Sequence, residues 1–332
     1  MNTATSQGFV MGRIVSVTCA VAALGALAGC GANGSSSLPD SGRAATTAGT
    51  APAPAPPLPE AAGSVTVGSA AFPEAELLAY VYAGAMKAHG VKVTVQPNIG
   101  ERSAYMAALK DGSIGAVPEY SGALLDYLQA GSTARTSPEV YDELRAEAAE
   151  QNLRVTSYAA AQDADTITVT KATAVKYNLK SIGDLKSVAG RLTLGAPAPL
   201  RTVPYGVPAL EKVYGVVFKR FVPLSPSGSI TQTALRNGTV DAADIFSTDP
   251  AISRFGLVPL EDPEHIFAAQ NVVPVFRQDV LTQPMADACD AVSAKLDTGQ
   301  LRVLVATVIG GGAPSEVAAG WLEDNGLANR AE

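Results

Sequence analysis

From Ser64 onward, short runs of β-branched residues alternate with stretches of helical period, and this alternation sets the class of fold. The strand candidates are Val65–Val67, Val91–Val95, Ile114–Val117, Thr166–Thr170, Arg191–Leu194, Val216–Val222, Val240–Phe246 and Val272–Phe276. Between the first two, Glu74–His89 places Leu77, Leu78, Val81 and Ala85 on one face, and Gly90 is a natural stop. Pro138–Asn152 reads as a helix charged on its outer face, and Ser181-Ile182-Gly183-Asp184 as a helix start with an acid three residues after the cap. Strands and helices in such alternation imply an α/β fold with mainly parallel sheets. The stretch from Ser64 to the end is about 270 residues, long for one ordinary domain, so two α/β lobes are expected. No internal repeat is visible.

The sequence before Ser64 has a different character. Arg13 is the one charge ahead of an apolar run from Ile14 to Ala28. That run is roughly 15 residues, short of the ~20 a membrane span needs, and reads as an export signal. It ends in Leu27-Ala28-Gly29-Cys30, which matches the bacterial lipobox. There the cysteine thiol carries a diacylglycerol and the chain is cut just before it. Residues 1–29 are thus expected to be a lipoprotein signal peptide and Cys30 the lipidated residue. Residues 31–63 are rich in Gly, Ser, Ala, Thr and Pro and include Ala51-Pro52-Ala53-Pro54-Ala55-Pro56-Pro57. Such a stretch cannot bury apolar surface and is read as a tether. The expected location is outside the cell, lipid-anchored to the outer face of a bacterial cytoplasmic membrane.

Charge and chemistry narrow the function. The net charge is -7 and no basic patch is present, which argues against a nucleic-acid partner. Of the three cysteines, Cys19 and Cys30 lie in the leader, so Cys289 has no partner for an internal disulfide and reads as a small buried apolar residue. The two histidines, His89 and His265, have no second ligand at metal spacing. There is no Gly-x-Ser-x-Gly elbow and no phosphate-binding glycine loop, and Gly310-Gly311-Gly312 reads as a helix stop. Paired carboxylates occur, Asp163 with Asp165 and Asp241 with Asp244. A surface-anchored hydrolase using such a pair is the one enzymatic alternative. The preferred reading is a binding protein without catalysis, cofactor or metal, holding a small solute between two lobes.

Several ordered motifs carry a family resemblance. They are Val67-Gly68-Ser69-Ala70-Ala71-Phe72, Ala108-Leu109-Lys110-Asp111-Gly112-Ser113-Ile114, Val117-Pro118-Glu119-Tyr120-Ser121-Gly122, Ala234-Leu235-Arg236-Asn237-Gly238-Thr239-Val240-Asp241, Phe246-Ser247-Thr248-Asp249 and Glu316-Val317-Ala318-Ala319-Gly320-Trp321-Leu322. The chain resembles the osmoprotectant-type substrate-binding proteins of ABC importers, receptors for glycine betaine, choline, carnitine and proline. The resemblance implies a two-lobed periplasmic-binding-protein-like fold of type II with two crossing hinge strands. Lobe one would comprise residues 64–165 and 250–332, and lobe two residues 166–249. It also implies partners: a small polar solute, a membrane permease and an ATPase that supplies the energy.

A quaternary ammonium has no N–H, so such receptors hold it on aromatic faces, within about 6 Å of the ring centroid. A ligand carboxylate needs Arg, Lys or backbone donors. By the resemblance, Tyr120 matches a cage tyrosine, and Ser69 lies in the first binding turn, where Ala70 replaces the family's lysine. A second cage tyrosine aligns with Asp165, a third with Gln232 and a fourth with Phe255, and Arg201 lies near the place of the cleft arginine. Tyr158 and Tyr205 are nearby aromatics, each read first as a packing residue. By the resemblance, the aromatic box is thus largely dismantled, with the acids Asp163 and Asp165 and the amide Gln232 in its place. Two readings stay open. The acids attract a cation such as choline or a betaine, or the site takes a polyol, sugar-like or phenolic ligand through hydrogen bonds.

Overall fold

The structure is a computed structural model and describes residues 57–328. The apolar leader, Cys30 and the tether up to Pro56 lie outside the described residues. The first lobe opens with β1 (Ser64–Ala70), α1 (Pro73–Ala88), β2 (Lys92–Gly100), α2 (Arg102–Asp111), β3 (Ala116–Tyr120), α3 (Ser121–Leu128), α4 (Ser137–Glu150) and β4 (Leu153–Val155). The chain then crosses to β5 (Ile167–Thr170), α5 (Lys171–Tyr177), β6 (Thr193–Ala196), α6 (Val207–Tyr214), β7 (Arg220–Pro223), α7 (Gly228–Arg236), β8 (Ala242–Asp244), α8 (Ala251–Phe255) and β9 (Leu257–Pro259). It returns to the first lobe with β10 (Val272–Arg277), α9 (Gln283–Ser293), α10 (Thr298–Ile309) and α11 (Pro314–Asp324).

Two five-stranded sheets result, in the orders β2-β1-β3-β10-β4 and β7-β6-β8-β5-β9. In the first, β1 runs parallel to β2 and β3, from Ser64 opposite Lys92 to Val67 opposite Ala116. The returning β10 is antiparallel to both β3 and β4, with Val275 opposite Val117 and Val155. The second sheet repeats the plan: β6 is parallel to β7 and β8, while β5 is antiparallel to β8 and β9. Each sheet is therefore half parallel, not mainly parallel as the alternation alone suggests. A strand that crosses between lobes enters the next sheet without a helical crossover, and so without the constraint that keeps neighbours parallel.

Both sheets are covered on both faces. One face of the first packs against α1, α9 and α11 through Leu77, Val81, Met285 and Trp321. The other packs against α2, α3 and α4 through Leu109, Leu124 and Leu144. Full burial of each such side chain contributes about 1.5–3 kcal/mol. Cys289 is fully buried here, and burial pushes its thiol pKa up. Helix α1 starts on Pro73 after an extended Phe72, where the missing N–H costs nothing. A capping box of Thr136 and Glu139 opens α4, and another of Ser181 and Asp184 opens a 3-10 turn over Ile182–Ser187. Gly310 ends α10.

The second lobe extends further than the expected boundary at residue 250. β9 is an edge strand of its sheet, and Leu260, Ile266 and Phe267 belong to its core. The second crossing thus falls near residues 268–271. The two crossing segments meet there: Gln162 bridges Asn271, Asp163 N–H donates to Gln270 O at 3.1 Å, and Val272 N–H donates to Ala161 O at 2.9 Å. Ser247, beyond β8, joins them, donating its hydroxyl to Gln162 O at 2.7 Å and accepting from Ala164 N–H at 3.0 Å. Arg302 of α10 donates to Ser247 O from Nε and Nη2, at 2.9 and 2.6 Å.

Candidate functional site

The Pro-Glu-Tyr-Ser-Gly turn that ends β3 is built residue by residue. Glu119 is buried and accepts from Arg102 Nε at 2.7 Å and Nη2 at 3.0 Å, from the Tyr105 hydroxyl at 2.5 Å, and from Tyr120 N–H at 3.0 Å. A forked, charge-assisted contact of this kind fixes orientation as well as charge. Ser121 Oγ donates to Ala269 O and accepts from Asn271 N–H at 3.0 Å, tying the turn to the returning crossing strand. Gly122 is required by close approach, since a Cβ there would sit 2.6 Å from Ala269 O. With its neighbours held, Tyr120 points its hydroxyl at Glu74 and donates to Oε1 at 2.6 Å.

Glu74 stands in the first turn of α1, where the helix dipole favours its anion. Burial outweighs that: together with the nearby Asp163 charge it pushes the carboxyl from 4.5 to about 8, against the opposing Tyr120 and Thr248 hydrogen bonds. Asp163 lies on the first crossing strand and accepts from Thr248 Oγ1 at 2.6 Å. Burial, with the charges of Asp165 and Asp249 behind it, raises Asp163 to about 6. These groups open on a cleft of about 580 Å³ lined by Phe72, Glu74, Asp163, Gln232, Phe246, Thr248 and Phe255, among others. Phe72 is 41% exposed and stacks on Tyr120 at 6.4 Å between centroids, 20° between planes.

The site therefore pairs aromatic faces with carboxyl groups. Among the described residues no salt bridge to Glu74 or Asp163 is seen, while Arg254 lines the same cleft and the Arg302 guanidinium acts on Asp249. No three His, Cys, Asp or Glu side chains among the described residues converge as a metal site would. Such a cleft suits an organic cation: the carboxyl groups supply charge and the rings supply contact without requiring an N–H.

The site residues expected from sequence fall into three groups. Asp163, Gln232 and Phe255 line the cleft, and Tyr120 stands behind Glu74 and Phe72 of its wall. Gln232 donates from Nε2 to both oxygens of the buried Asp249, at 3.0 Å each. Phe255 lines the wall, but Arg236 sits 3.8 Å from its ring centroid and Arg254 5.1 Å, so its faces already serve guanidinium groups. Asp165 stands two residues beyond Asp163, beside Asp244, and both act on Tyr205. The remaining candidates lie apart. Ser69 is fully buried in β1, donates to Ala70 O and accepts from Asn98 N–H of β2, which joins the two parallel strands at the bulge in their register. Arg201 is exposed and lies over Phe221 at 5.4 Å. Tyr158 packs edge-on against Tyr141 at 4.9 Å.

Residues 63–324 match the family described as the substrate binding domain of ABC-type glycine betaine transport systems. The chain belongs to this family. The protein is thus the solute-binding component of an ABC importer system. It is 28% identical over 281 residues to the glycine betaine-binding protein YehZ of Escherichia coli, covering 80% of this chain and 92% of that one. It is 24% identical over 278 residues to a glycine-betaine-binding protein of Pseudomonas aeruginosa, covering 80% and 89%. Among solved structures, a glycine betaine/carnitine/choline ABC transporter protein superposes with a TM-score of 0.73 at 21% identity, over 79% of this chain and 99% of that one. Apo YehZ of E. coli gives 0.69 at 25% identity, over 80% and 99%. These likenesses establish the two-lobed fold of the binding protein.

Several cleft residues are not among those expected from sequence, Glu74, Phe72 and Thr248 among them. Glu74 has a signal. It precedes Leu77 by three and Leu78 by four, which places a carboxyl on the apolar face of α1. An acid on a buried stripe is either paired or used. Phe72 and Thr248 lie within the family motifs but carry no signal of their own, because only the meeting of two lobes gives them a role.

Proposed function

We propose that this binding protein captures small cationic solutes of the quaternary-ammonium class, choline-like or betaine-like, in the cleft between its lobes. The single observation that carries this reading is the meeting of Tyr120, Glu74 and Asp163 with the Phe72 ring at one cleft, where neither Glu74 nor Asp163 forms a salt bridge among the described residues. Closure about the paired crossing strands would bury the ligand, and the closed form would deliver it to a permease driven by an ATPase. No step of this role requires catalysis by the chain itself. The Leu-Ala-Gly-Cys sequence at residues 27–30 supports lipidation at Cys30, with residues 31–63 as tether to the outer face of the membrane. The alternative of a hydroxylated ligand leans on Asp163, Asp165 and Gln232, and the Gln232 amide nitrogen is already engaged by Asp249.

Calorimetric titration of the purified protein with choline, glycine betaine, carnitine and proline, and then with polyols and phenols, tests the reading. Saturable heat from a quaternary amine, weakened about tenfold or more in Asp163→Asn, is the expected result. Heat from a hydroxylated compound alone would overturn it.

A further inference from the structure

The cleft is larger than the groups that attract a cation require. Its volume of about 580 Å³ falls well inside the roughly 300–1,000 Å³ of pockets that enclose drug-sized ligands, and a choline-sized solute seated at Glu74 and Asp163 fills only part of it. Several polar side chains of the lining are turned on their own neighbours. Thr248 Oγ1 donates to Asp163 at 2.6 Å, Gln232 Nε2 donates to Asp249 at 3.0 Å, and Ser227 Oγ accepts from Phe246 N–H at 2.8 Å. Much of the remaining lining is carbon, supplied by two helices from different lobes.

That apolar wall has a direction. Helix α10 starts at the hinge, where Thr298 Oγ1 accepts from Gln162 N–H at 3.0 Å. It passes Ser247 at Arg302 and then brings Val305 and Ile309 to the cleft. Residues 302, 305 and 309 are spaced three and four apart and share one face of the helix. At ~1.5 Å of rise per residue, that face runs about 10 Å from Arg302 to Ile309. Val305 is buried, whereas Ile309 is 62% exposed at the outer end. From the second lobe, α8 lines the same cleft with Ala251 and Phe255, four residues apart on its own face. The guanidinium groups of Arg236 and Arg254 lie 3.8 and 5.1 Å from the Phe255 ring and disfavour a further positive charge there. A ligand cation is therefore directed to Glu74 and Asp163, and the part of the ligand that extends away from it meets Val305, Ile309, Ala251 and Phe255.

We propose that the cleft prefers quaternary ammonium solutes that carry an apolar substituent, an aryl ring or short alkyl chain, held between Val305 and Ile309 of α10 and Ala251 and Phe255 of α8. This rests on the reading that the cleft takes organic cations at Glu74 and Asp163. A hydroxylated substituent of the same size would compete with bonds that Thr248, Gln232 and Ser227 already make, whereas an apolar one gains by leaving water. Because α10 and α8 belong to different lobes, closure about the hinge presses both walls on the substituent and rewards its presence.

Calorimetric titration of the purified protein with tetramethylammonium, choline, butyltrimethylammonium and benzyltrimethylammonium decides the matter. Each fully buried methylene is worth about fourfold in affinity. With burial only partial, the butyl and benzyl compounds are expected to bind on the order of tenfold tighter than tetramethylammonium. Their binding should also show a more negative heat-capacity change, the mark of apolar surface leaving water. In Ile309→Ser the advantage of the benzyl compound over tetramethylammonium should shrink by about threefold. Equal affinities across the series would overturn the apolar subsite and leave the capture of small cations standing. An advantage of full size in Ile309→Ser would overturn the assignment of α10 as its wall. No binding by any of the four cations would overturn both readings. If Ile309→Ser does not fold, the heat-capacity changes on the unaltered protein decide instead, and equal values for tetramethylammonium and the benzyl compound would refute the subsite.

Discussion

Replacing Glu74 by Gln should make the unliganded protein more stable at pH 8 and leave it nearly unchanged at pH 5. The glutamate carboxyl titrates at about 8 in the folded protein against 4.5 when solvated. The folded value lies above the unfolded one, so the folded chain keeps a proton that the unfolded chain has released. The associated stability is complete below about pH 4.5 and is lost as pH rises towards 8. Each pH unit in that window is worth about 1.4 kcal/mol, so the loss reaches on the order of 4 kcal/mol at the alkaline end. In Glu74→Gln the new amide would accept from the Tyr120 hydroxyl through its carbonyl and donate to Asp163 through its NH2, preserving shape without a charge to desolvate. For a body of this size, ~4 kcal/mol corresponds to roughly 8 °C in Tm. Thermal unfolding of parent and Glu74→Gln proteins from pH 5 to pH 8 measures it. The parent should lose stability along this range, and the variant should lose less. Asp163 and Asp244, also raised, keep some slope in both proteins. Parallel curves for the two would refute the assignment of a buried, protonated Glu74.

Three further outcomes are expected. Tyr120→Phe removes the hydroxyl given to Glu74 and should weaken choline binding by about tenfold in calorimetry, consistent with losing one buried hydrogen bond; an unchanged affinity would take Tyr120 out of the site. Arg102→Met leaves Glu119 buried without its cation and should cost about 3–5 kcal/mol in urea unfolding, whereas a loss below ~1 kcal/mol would mean that Tyr105 and the Tyr120 amide suffice. Gly122→Ala forces a Cβ against Ala269 O and should destabilise by about 2 kcal/mol or more, and a neutral result would show that the turn can move away from the crossing strand.

Much of the fold is legible in the sequence because it rests on local pattern. The apolar stripe of α1, the Ser181–Asp184 start and the glycine stop after α10 all follow from spacing and stand in place. β4 and β9 are not legible: each is three residues long with no alternation to distinguish it from loop, and each exists because a longer strand accepts it at an edge. The lobe boundary lies beyond its expected place for the same reason. In the site, Tyr120 is visible through its motif, since the surrounding Glu119, Ser121 and Gly122 each have a fixed local task. Arg201 and Ser69 rest on register with the family alone, and tertiary structure sends one to the surface and buries the other between β1 and β2. The pairing of Asp163 with Glu74 and of Asp165 with Asp244 is hidden from the sequence, because each joins positions far apart in the chain and only the crossing of strands makes them neighbours.

The position of β10 has a consequence for how the chain is made. It lies between β3 and β4 in the first sheet, yet it follows the whole second lobe in sequence. A chain that emerges from its N-terminus must therefore wait with β3 unpaired on one side and β4 without a neighbour until residues 272–277 arrive. The second lobe, whose five strands are contiguous from 167 to 259, can close first. The inserted lobe is thereby the early-forming unit and the enclosing lobe the late one. Val272, Val273, Val275 and Phe276, all fully buried, act together as the latch that ends the process. Truncation just before Val272 should leave a protected second lobe beside an unfolded remainder in hydrogen exchange, and equal protection of both would contradict this order.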